Sequence, residues 1–264
     1  MKFYRVRALF LRHMYLYRRS LPRLMEIFYW PFLDLLVWGF VSLYLARMGG
    51  EGLPNFVAFF LGALILWDIL FRSQQGISVS FLEDVWSRNL LNLFVSPLRP
   101  IEYILSLMLV SAVKIVLVGV VLAGLAWLFY SFNVFVIGIS LIPFILSLVA
   151  LGWAIGIVTT SLILRFGQQA EVLAWGIAFL FQPVSAVFYP VSVLPPFLQA
   201  IAKCVPSAHV FEGMRAVLSD GVFPLERLAG AFGLNVIYLV VSFIFFYRVF
   251  RTVRRKGLLA KIGE

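Results

Sequence analysis

Cysteine is almost absent from this chain. Cys204 stands alone, so no disulfide forms within the chain and no thiolate-based metal site can be assembled. Histidine is nearly as scarce: His13 and His209 lie far apart in sequence and read as packing or interfacial residues. A membrane-embedded enzyme would need clustered His, Asp or Glu beside its spans, and two distant histidines do not supply that. Charged residues make up 13% of the chain, against about 25% in soluble globular domains. Acidic residues are the scarcer sign, with 12 Asp and Glu against 22 Lys and Arg. No Gly-x-x-x-x-Gly-Lys-Ser/Thr loop occurs, so nothing in the sequence cradles nucleotide phosphates.

What fills the chain instead is apolar. With 62% hydrophobic residues and a mean hydropathy of +1.00, the 264 residues describe an all-α integral membrane protein. The net charge of +10 does not point to nucleic acid, because the basic residues flank apolar runs instead of interleaving with exposed aromatics.

Residues 1–23 carry Lys2, Arg5, Arg7, Arg12, Arg18, Arg19 and Arg23, with Phe3, Val6, Leu9, Phe10, Met14 and Tyr17 recurring every three or four positions. Arg5, Arg12 and Arg19 share one face. The pattern predicts a basic amphipathic helix lying on the membrane surface. Arginines interrupt its apolar run and no small-residue cleavage site follows, so a retained N-terminus is expected in place of a signal peptide.

Six apolar runs follow, over 27–46, 56–79, 104–129, 134–164, 172–189 and 228–246. Each is read as a transmembrane helix, since about 20 residues at about 1.5 Å per residue cross a hydrocarbon core of about 30 Å. A turn is expected over 47–54. The second run becomes polar at Arg72, Ser73, Gln74 and Gln75, the fourth is expected to kink at Pro143, and Gly152 with Gly156 gives it a small-residue face suited to close helix packing.

Between the second and third runs lies a polar elbow, 80–103. Glu83 and Asp84, then Leu90, Leu91 and Phe94 at helical spacing, then Pro97 and Pro100, describe a short amphipathic helix over 83–97 ending in a stiff turn. On pattern alone it serves equally as a docking element or as a solvated loop with a satisfied apolar face. Between the fifth and sixth runs, Pro190, Pro195, Pro196 and Pro206 cut 190–218 into helical pieces too short to cross the bilayer, which must lie on it or fold back into it.

Six spans put both termini on one side. That side holds every Lys and Arg except Arg47, Lys203, Arg215, Arg227 and the mid-span Lys114, so the positive-inside rule makes the termini and the elbow cytoplasmic and the 190–218 stretch external.

Ionisable groups inside spans are costly, and Asp34, Asp68 and Lys114 are therefore candidates for function. A Lys114 to Asp68 pair is within reach by depth, and a structural pair that holds helices together is weighed above a substrate site. Gln182, Pro183 and Ser185 suit a partly hydrated pathway, because proline frees a backbone carbonyl beside an amide and a hydroxyl. Phe179, Phe181 and Phe188 could line it.

The elbow ending Phe94-Val-Ser-Pro-Leu-Arg-Pro-Ile-Glu-Tyr103, with Phe188-Tyr-Pro-Val-Ser-Val-Leu-Pro-Pro196 and Glu212-Gly-Met-Arg215, resembles the permease subunit of type-2 ATP-binding cassette exporters. Where members of that family often carry Asn before the proline of the outer segment, this chain has Val205 before Pro206.

The resemblance implies a non-enzymatic permease that dimerises with a second copy, sits among membrane lipid in the plasma (bacterial inner) membrane, and moves an amphipathic drug, lipid or lipid-linked glycan outward. It implies no cofactor of its own, ATP and magnesium being held by a separate ATPase subunit. That subunit would be engaged by a coupling helix carrying Glu83, Asp84, Arg88, Leu90, Leu91, Phe94 and Pro97, the charged end recognising it and the Leu90, Leu91 and Phe94 face filling its groove. The external gate would comprise Phe188, Tyr189, Pro190, Leu194, Pro195, Pro196, Glu212 and Arg215. An ATP-independent channel or secondary transporter is the alternative. It would show polar linings across several spans or repeated halves, and neither is apparent.

Overall fold

The computed structural model describes residues 2–48 and 56–257. Most of the turn expected over 47–54 lies outside the described residues, as does Lys261 in the basic tail. Ten α-helices and short 3-10 turns, with no strand among the described residues, make up the chain. Five helical stretches there are long and apolar enough to cross a membrane: Leu21–Met48 (α2), Phe56–Trp86 (α3), Pro100–Tyr130 (α5), Val134–Ala170 (containing α6, Leu141–Phe166) and Leu225–Arg255 (α10).

These helices overrun the apolar runs because hydropathy marks the lipid-crossing part while hydrogen bonding continues past it. A helix of 31 residues such as α3 is about 46 Å long, well beyond a core of about 30 Å. The polar stretch of α3 is covered by neighbours: Ser73, Gln74, Ser78 and Ser80 are fully buried. The break in the fourth run falls at Gly138, whose φ of 66° lies in the left-handed region, and not at Pro143. Pro143 sits in the first turn of α6, where its missing N–H would have had no partner within the helix.

Helix α3 is central, packed against α2, α5 and α6. The small-residue face of α6 makes that approach possible. A Cβ on Gly152 would stand 1.7 Å from Ser73 Oγ and 2.6 Å from the Leu70 carbonyl oxygen, and one on Gly156 would stand 2.9 Å from the Gln74 carbonyl oxygen. On the opposite flank Gly76 lies against Ser111 of α5, whose hydroxyl donates to the Ser73 carbonyl at 3.0 Å. Two apolar clusters result. One surrounds Leu66, Leu70, Phe144 and Phe211, the other Phe81, Tyr103, Leu107 and Phe250. Helices α6 and α10 are further joined by Asn235, which donates to the Ser147 carbonyl at 3.0 Å and hydroxyl at 2.8 Å.

Helix α1 (Phe3–Arg18) is amphipathic, burying Val6, Leu9, His13 and Tyr17 against the rest of the chain. Phe3, expected on that stripe, is exposed. Helix α4 (Leu90–Val95) occupies the elbow and is much shorter than 83–97, because α3 continues to Trp86 and Arg88 turns the chain with φ of 53°.

The 172–189 run is not one regular helix. It comprises α7 (Leu173–Gly176), a 3-10 turn (Ile177–Leu180) and further turns to a left-handed Ala186 with φ of 54°. Pro183 removes one backbone donor, and the Ser185 hydroxyl takes the Phe181 carbonyl at 2.6 Å. This broken segment runs antiparallel along α3. Trp86 Nε1 donates to Glu171 at 3.2 Å, Gln74 donates to the Ala174 carbonyl at 3.2 Å, Phe71 packs on Phe179 and Phe60 stacks on Phe188 at 4.9 Å between centroids. Beyond it come α8 (Pro196–Lys203) and α9 (Pro206–Asp220), and Val205 before Pro206 provides no side-chain cap.

Candidate functional site

A cavity of about 240 Å³ opens between α2, α3 and the broken segment. Asp34 of α2 and Asp68 of α3 line it together with Gln182, and Trp38, Trp67, Phe71, Phe179 and Phe188 supply aromatic walls. Two of the three intramembrane charges expected from sequence thus meet one of the pathway residues. Pro183 and Ser185 do not join them. Ser185 is buried and lies 2.6 Å from the Ser207 hydroxyl of α9, so it pins the segment to that helix, while the Pro183 carbonyl accepts from the Tyr189 hydroxyl at 2.8 Å.

The expected pairing of Lys114 with Asp68 is not what the fold makes. Asp68 Oδ1 is met by Arg72 Nε at 3.3 Å, one helical turn along α3, and Arg72 also donates to Gln75 at 3.0 Å. Lys114 reaches the Tyr17 hydroxyl and, at 3.3 Å, the Ser80 hydroxyl, with its ammonium 4.0 Å from the Tyr17 ring centroid. The reason is register. The Gly76 to Ser111 approach sets the Lys114 backbone near the level of Ser73, and its side chain leans toward the N-terminal end of α5, away from Asp68 and onto Ser80.

At the end of the bundle carrying α1 and α4, the elbow is held by a buried polar clamp. Asp84 accepts from Arg12 Nη2 and from the Tyr103 hydroxyl, each at 2.7 Å, with His13 Nε2 3.6 Å away. Glu83 accepts from the Tyr17 hydroxyl at 3.1 Å and lies 3.5 Å from Arg23 Nε. Burial raises the Tyr17 phenol well above its ordinary pKa, so it stays a neutral donor. Glu102 accepts the backbone N–H groups of Lys2 at 2.7 Å and Arg99 at 3.0 Å and faces Arg5, which also donates to the Pro97 carbonyl. The sequence places Arg12 on the basic face of the first helix and Glu102 and Tyr103 at the end of the elbow motif, without giving any of them a role in a clamp. The Glu at the third position after Arg99, opening a helix with Pro100, is a capping-box spacing that would have pointed to Glu102.

These bonds correct the reading of the elbow as a free recognition surface. Glu83 and Asp84 are engaged within the chain. Leu90 is buried, and Phe94 packs on Tyr103 and Phe250 with centroids 5.6 and 4.8 Å away, so both anchor α4 instead of facing outward. The outward face consists of Leu91, 47% exposed, and Val95, 79% exposed, with Asn92, Arg88 and Pro97 around them.

At the opposite end, Glu212 and Arg215 of α9 organise the proline-rich stretch. Glu212 accepts the Val191 N–H at 2.9 Å, Arg215 Nη1 at 2.7 Å and Arg227 of α10 at 3.2 Å. Arg215 Nη2 donates to the carbonyls of Ala186, Val187 (3.3 Å) and Tyr189 (2.6 Å), and its guanidinium lies 4.7 Å from the Phe59 ring centroid. Burial lowers the Arg215 pKa, and the Glu212 charge works against that shift. Leu194 is buried against Ala202 and Ala208, while Pro195 and Pro196 are exposed and open α8.

The family model described as ABC-2 family transporter protein matches residues 40–249, most of the chain. No curated protein matches it.

Proposed function

The chain belongs to the ABC-2 transporter family, and from that premise we propose that it is the membrane-spanning subunit of an ATP-driven exporter, moving an amphipathic substrate outward as a dimer. The family is one of transport permeases, is not itself catalytic, and normally works with an ATP-binding cassette subunit. In this reading that ATPase supplies all nucleotide and magnesium chemistry and docks on α4.

The observation that carries the proposal is the outward face of α4. A six-residue helix cannot be stable alone in water. Here it is fixed from beneath by Leu90 and Phe94 and braced by the Asp84 and Glu102 clamps, leaving the apolar Leu91 and Val95 bare at the basic end of the chain. A rigid element with an unpaired apolar tip transmits a push to the helices it is fixed to, which are α5 and α10 through Tyr103 and Phe250, and to α3, which leads into it.

The broken segment is the sixth crossing. Its contacts with α3 extend from Trp86 to Phe60, a rise of about 39 Å along that helix, more than a hydrocarbon core of about 30 Å. Six crossings return both termini to one side, and the basic residues of α1, the elbow and the end of α10 favour the cytoplasm of a plasma-type membrane. The irregular backbone packs on α3 and α6, with its 185–189 end on α9, and lines the cavity, the setting in which non-helical chain is tolerated at membrane depth. The exposed apolar faces of α2 and α10, including Phe40 and Tyr44 and Val240 and Ile244, are left for lipid and for the second copy. The Glu212 and Arg215 node makes α8, α9 and the 186–191 stretch one external unit, the proposed gate.

The test is reconstitution with the ATPase that co-purifies with it. ATP-dependent accumulation of an amphipathic probe in inside-out vesicles is expected. Transport that proceeds without any nucleotide-binding subunit would establish the channel or secondary-transporter alternative.

A further inference from the structure

The cavity between α2, α3 and the broken segment holds an imbalance of charge. Asp68 is only 9% exposed, and Arg72 engages one of its oxygens, while the buried Oδ2 has no hydrogen-bond partner. Asp34 lines the same space and is in no ion pair among the described residues. Asp34 is exposed and Asp68 buried, and with both ionised two carboxylates against the one guanidinium of Arg72 leave the site net negative at membrane depth, where uncompensated charge is unfavourable. Around it the aromatic residues Trp38, Trp67, Phe71, Phe179 and Phe188 share the lining with as many aliphatic ones. Indole and phenyl faces carry the negative side of a quadrupole and so favour a cation on electrostatic grounds while they bury apolar surface.

We propose that this cavity binds an organic monocation, its charged centre between Asp34 and Asp68 and its apolar body against Trp38, Phe179 and Phe188. The inference rests on the permease reading above and names the substrate class of that pathway. An anion is disfavoured by the residual negative charge. A hard metal ion needs six or more oxygens, and two carboxylates with one amide among aromatic rings do not provide them. A neutral amphiphile would require one of the two carboxylates to take up a proton, whereas a cation compensates the charge directly. Gln182 can orient a polar substituent, since an amide both donates and accepts. Asp34 lies on α2, which carries Pro31 one turn earlier, and Gln182 precedes Pro183. Asp34 thus stands on a helix that stays continuous through Pro31 although it loses one backbone hydrogen bond there, and Gln182 stands in the turns of the broken segment.

The experiment uses the purified full chain in lipid nanodiscs and fluorescence anisotropy of ethidium, an aromatic monocation, with uncharged phenanthridine and anionic anilinonaphthalene sulfonate as competitors. Saturable ethidium binding is expected, competed by neither, and weakened tenfold or more by Asp34→Asn. Phe179→Leu should weaken it as well while the fold is kept. Asp68→Asn strands Arg72 and could fail to fold, so the decision rests on the other two variants. Equal binding to wild type and Asp34→Asn, or phenanthridine competing as well as ethidium itself, overturns the proposal. Association with the ATPase is measured on the same preparations. If it is intact without cation preference, only the substrate class fails. If cation binding persists with no ATPase association, the exporter reading fails alone.

Discussion

The Tyr103 hydroxyl donates to Asp84 Oδ2 at 2.7 Å, and this bond joins α5 to α3 beneath the first helix, where Arg12 completes the site on the other carboxylate oxygen. Both residues are essentially inaccessible to solvent. A carboxylate at that depth is stable only because both oxygens are met, and the two donors come from helices distant in sequence. The elbow helix α4 lies on the same clamp through Phe94, which packs on Tyr103.

Asp84→Ala is therefore expected to loosen α1 and α4 together. It strands the Tyr103 hydroxyl in the interior and leaves Arg12, whose side chain is 32% exposed, to seek water. The expected loss is about 2–3 kcal/mol, toward the upper end for a buried group left without its partner. Limited proteolysis at Arg18 and Arg19 should accelerate, and the thermal midpoint in detergent should fall. Tyr103→Phe should be milder, since Arg12 still holds Asp84. An unchanged proteolysis rate in Asp84→Ala would show that α1 is held by its apolar stripe alone.

Position on α4 separates docking from anchoring. Leu91→Asp and Val95→Asp leave the interior untouched and place a charge on the outward face, so the permease should fold while the ATPase no longer co-purifies. A central contact residue costs about 2 kcal/mol or more when lost, about 30-fold in affinity. Phe94→Asp puts a charge between Tyr103 and Phe250 and should instead lower stability. Retention of the ATPase by both outward variants would remove α4 as the docking element.

The α3 to α6 crossing makes a sharper test of packing. Gly152→Ala brings a methyl group within 1.7 Å of Ser73 Oγ and 2.6 Å of the Leu70 carbonyl oxygen, so the helices must separate. Overpacking of this kind costs about 1–3 kcal/mol. Because the Ser73 hydroxyl is the nearest of three obstacles, ahead of the Leu70 carbonyl oxygen and Ser73 Cβ at 2.9 Å, Ser73→Ala should recover part of the loss and the double mutant should be less than additive in thermal unfolding. Strict additivity would mean that the Leu70 carbonyl and Ser73 Cβ set the distance without the hydroxyl.

Much of this was legible in the sequence, and the exceptions have physical reasons. The amphipathic period of α1, the long apolar runs and the Gly152 and Gly156 face follow from local chemistry, and the fold uses them. Helix ends were placed too early because apolarity records the surroundings of a helix and not its hydrogen bonds. Pro143 suggested a kink, yet a proline in a first turn disturbs nothing, and the glycine five residues earlier takes the bend. Glu83 and Asp84 read as a charged end free for a partner, and Glu102 went unassigned, because the helix that covers all three lies roughly 70 to 100 positions away in sequence. Likewise Asp68 takes its partner, Arg72, from its own helix one turn on, while the Lys114 side chain leans toward the N-terminal end of α5 and reaches Ser80 instead. Asp34, Asp68 and Gln182 were individually recognisable as polar residues out of place. That they share one cavity is a property of packing.

The unit proposed as the gate is gathered by the Arg215 guanidinium, and that makes its mobility open to test. Arg215 gathers the Ala186, Val187 and Tyr189 carbonyls while bonding to Glu212, and a planar fork with several donors is what permits all of these together. Arg215→Lys keeps the charge but offers a single compact ammonium, so at least one buried carbonyl loses its partner, at about 1–3 kcal/mol. The left-handed Ala186 should then relax and the 186–191 stretch detach from α9. A cysteine at the exposed Ser192, introduced after Cys204→Ser, reports this through its rate of labelling by an impermeant thiol reagent. Labelling should rise several-fold in Arg215→Lys, and in the wild-type background it should differ between the nucleotide-free and ATP-trapped complexes. A rate that Arg215→Lys raises but nucleotide leaves unchanged would identify the node as a lock on a static cap, whereas a change in both would make Arg215 the latch of a moving gate.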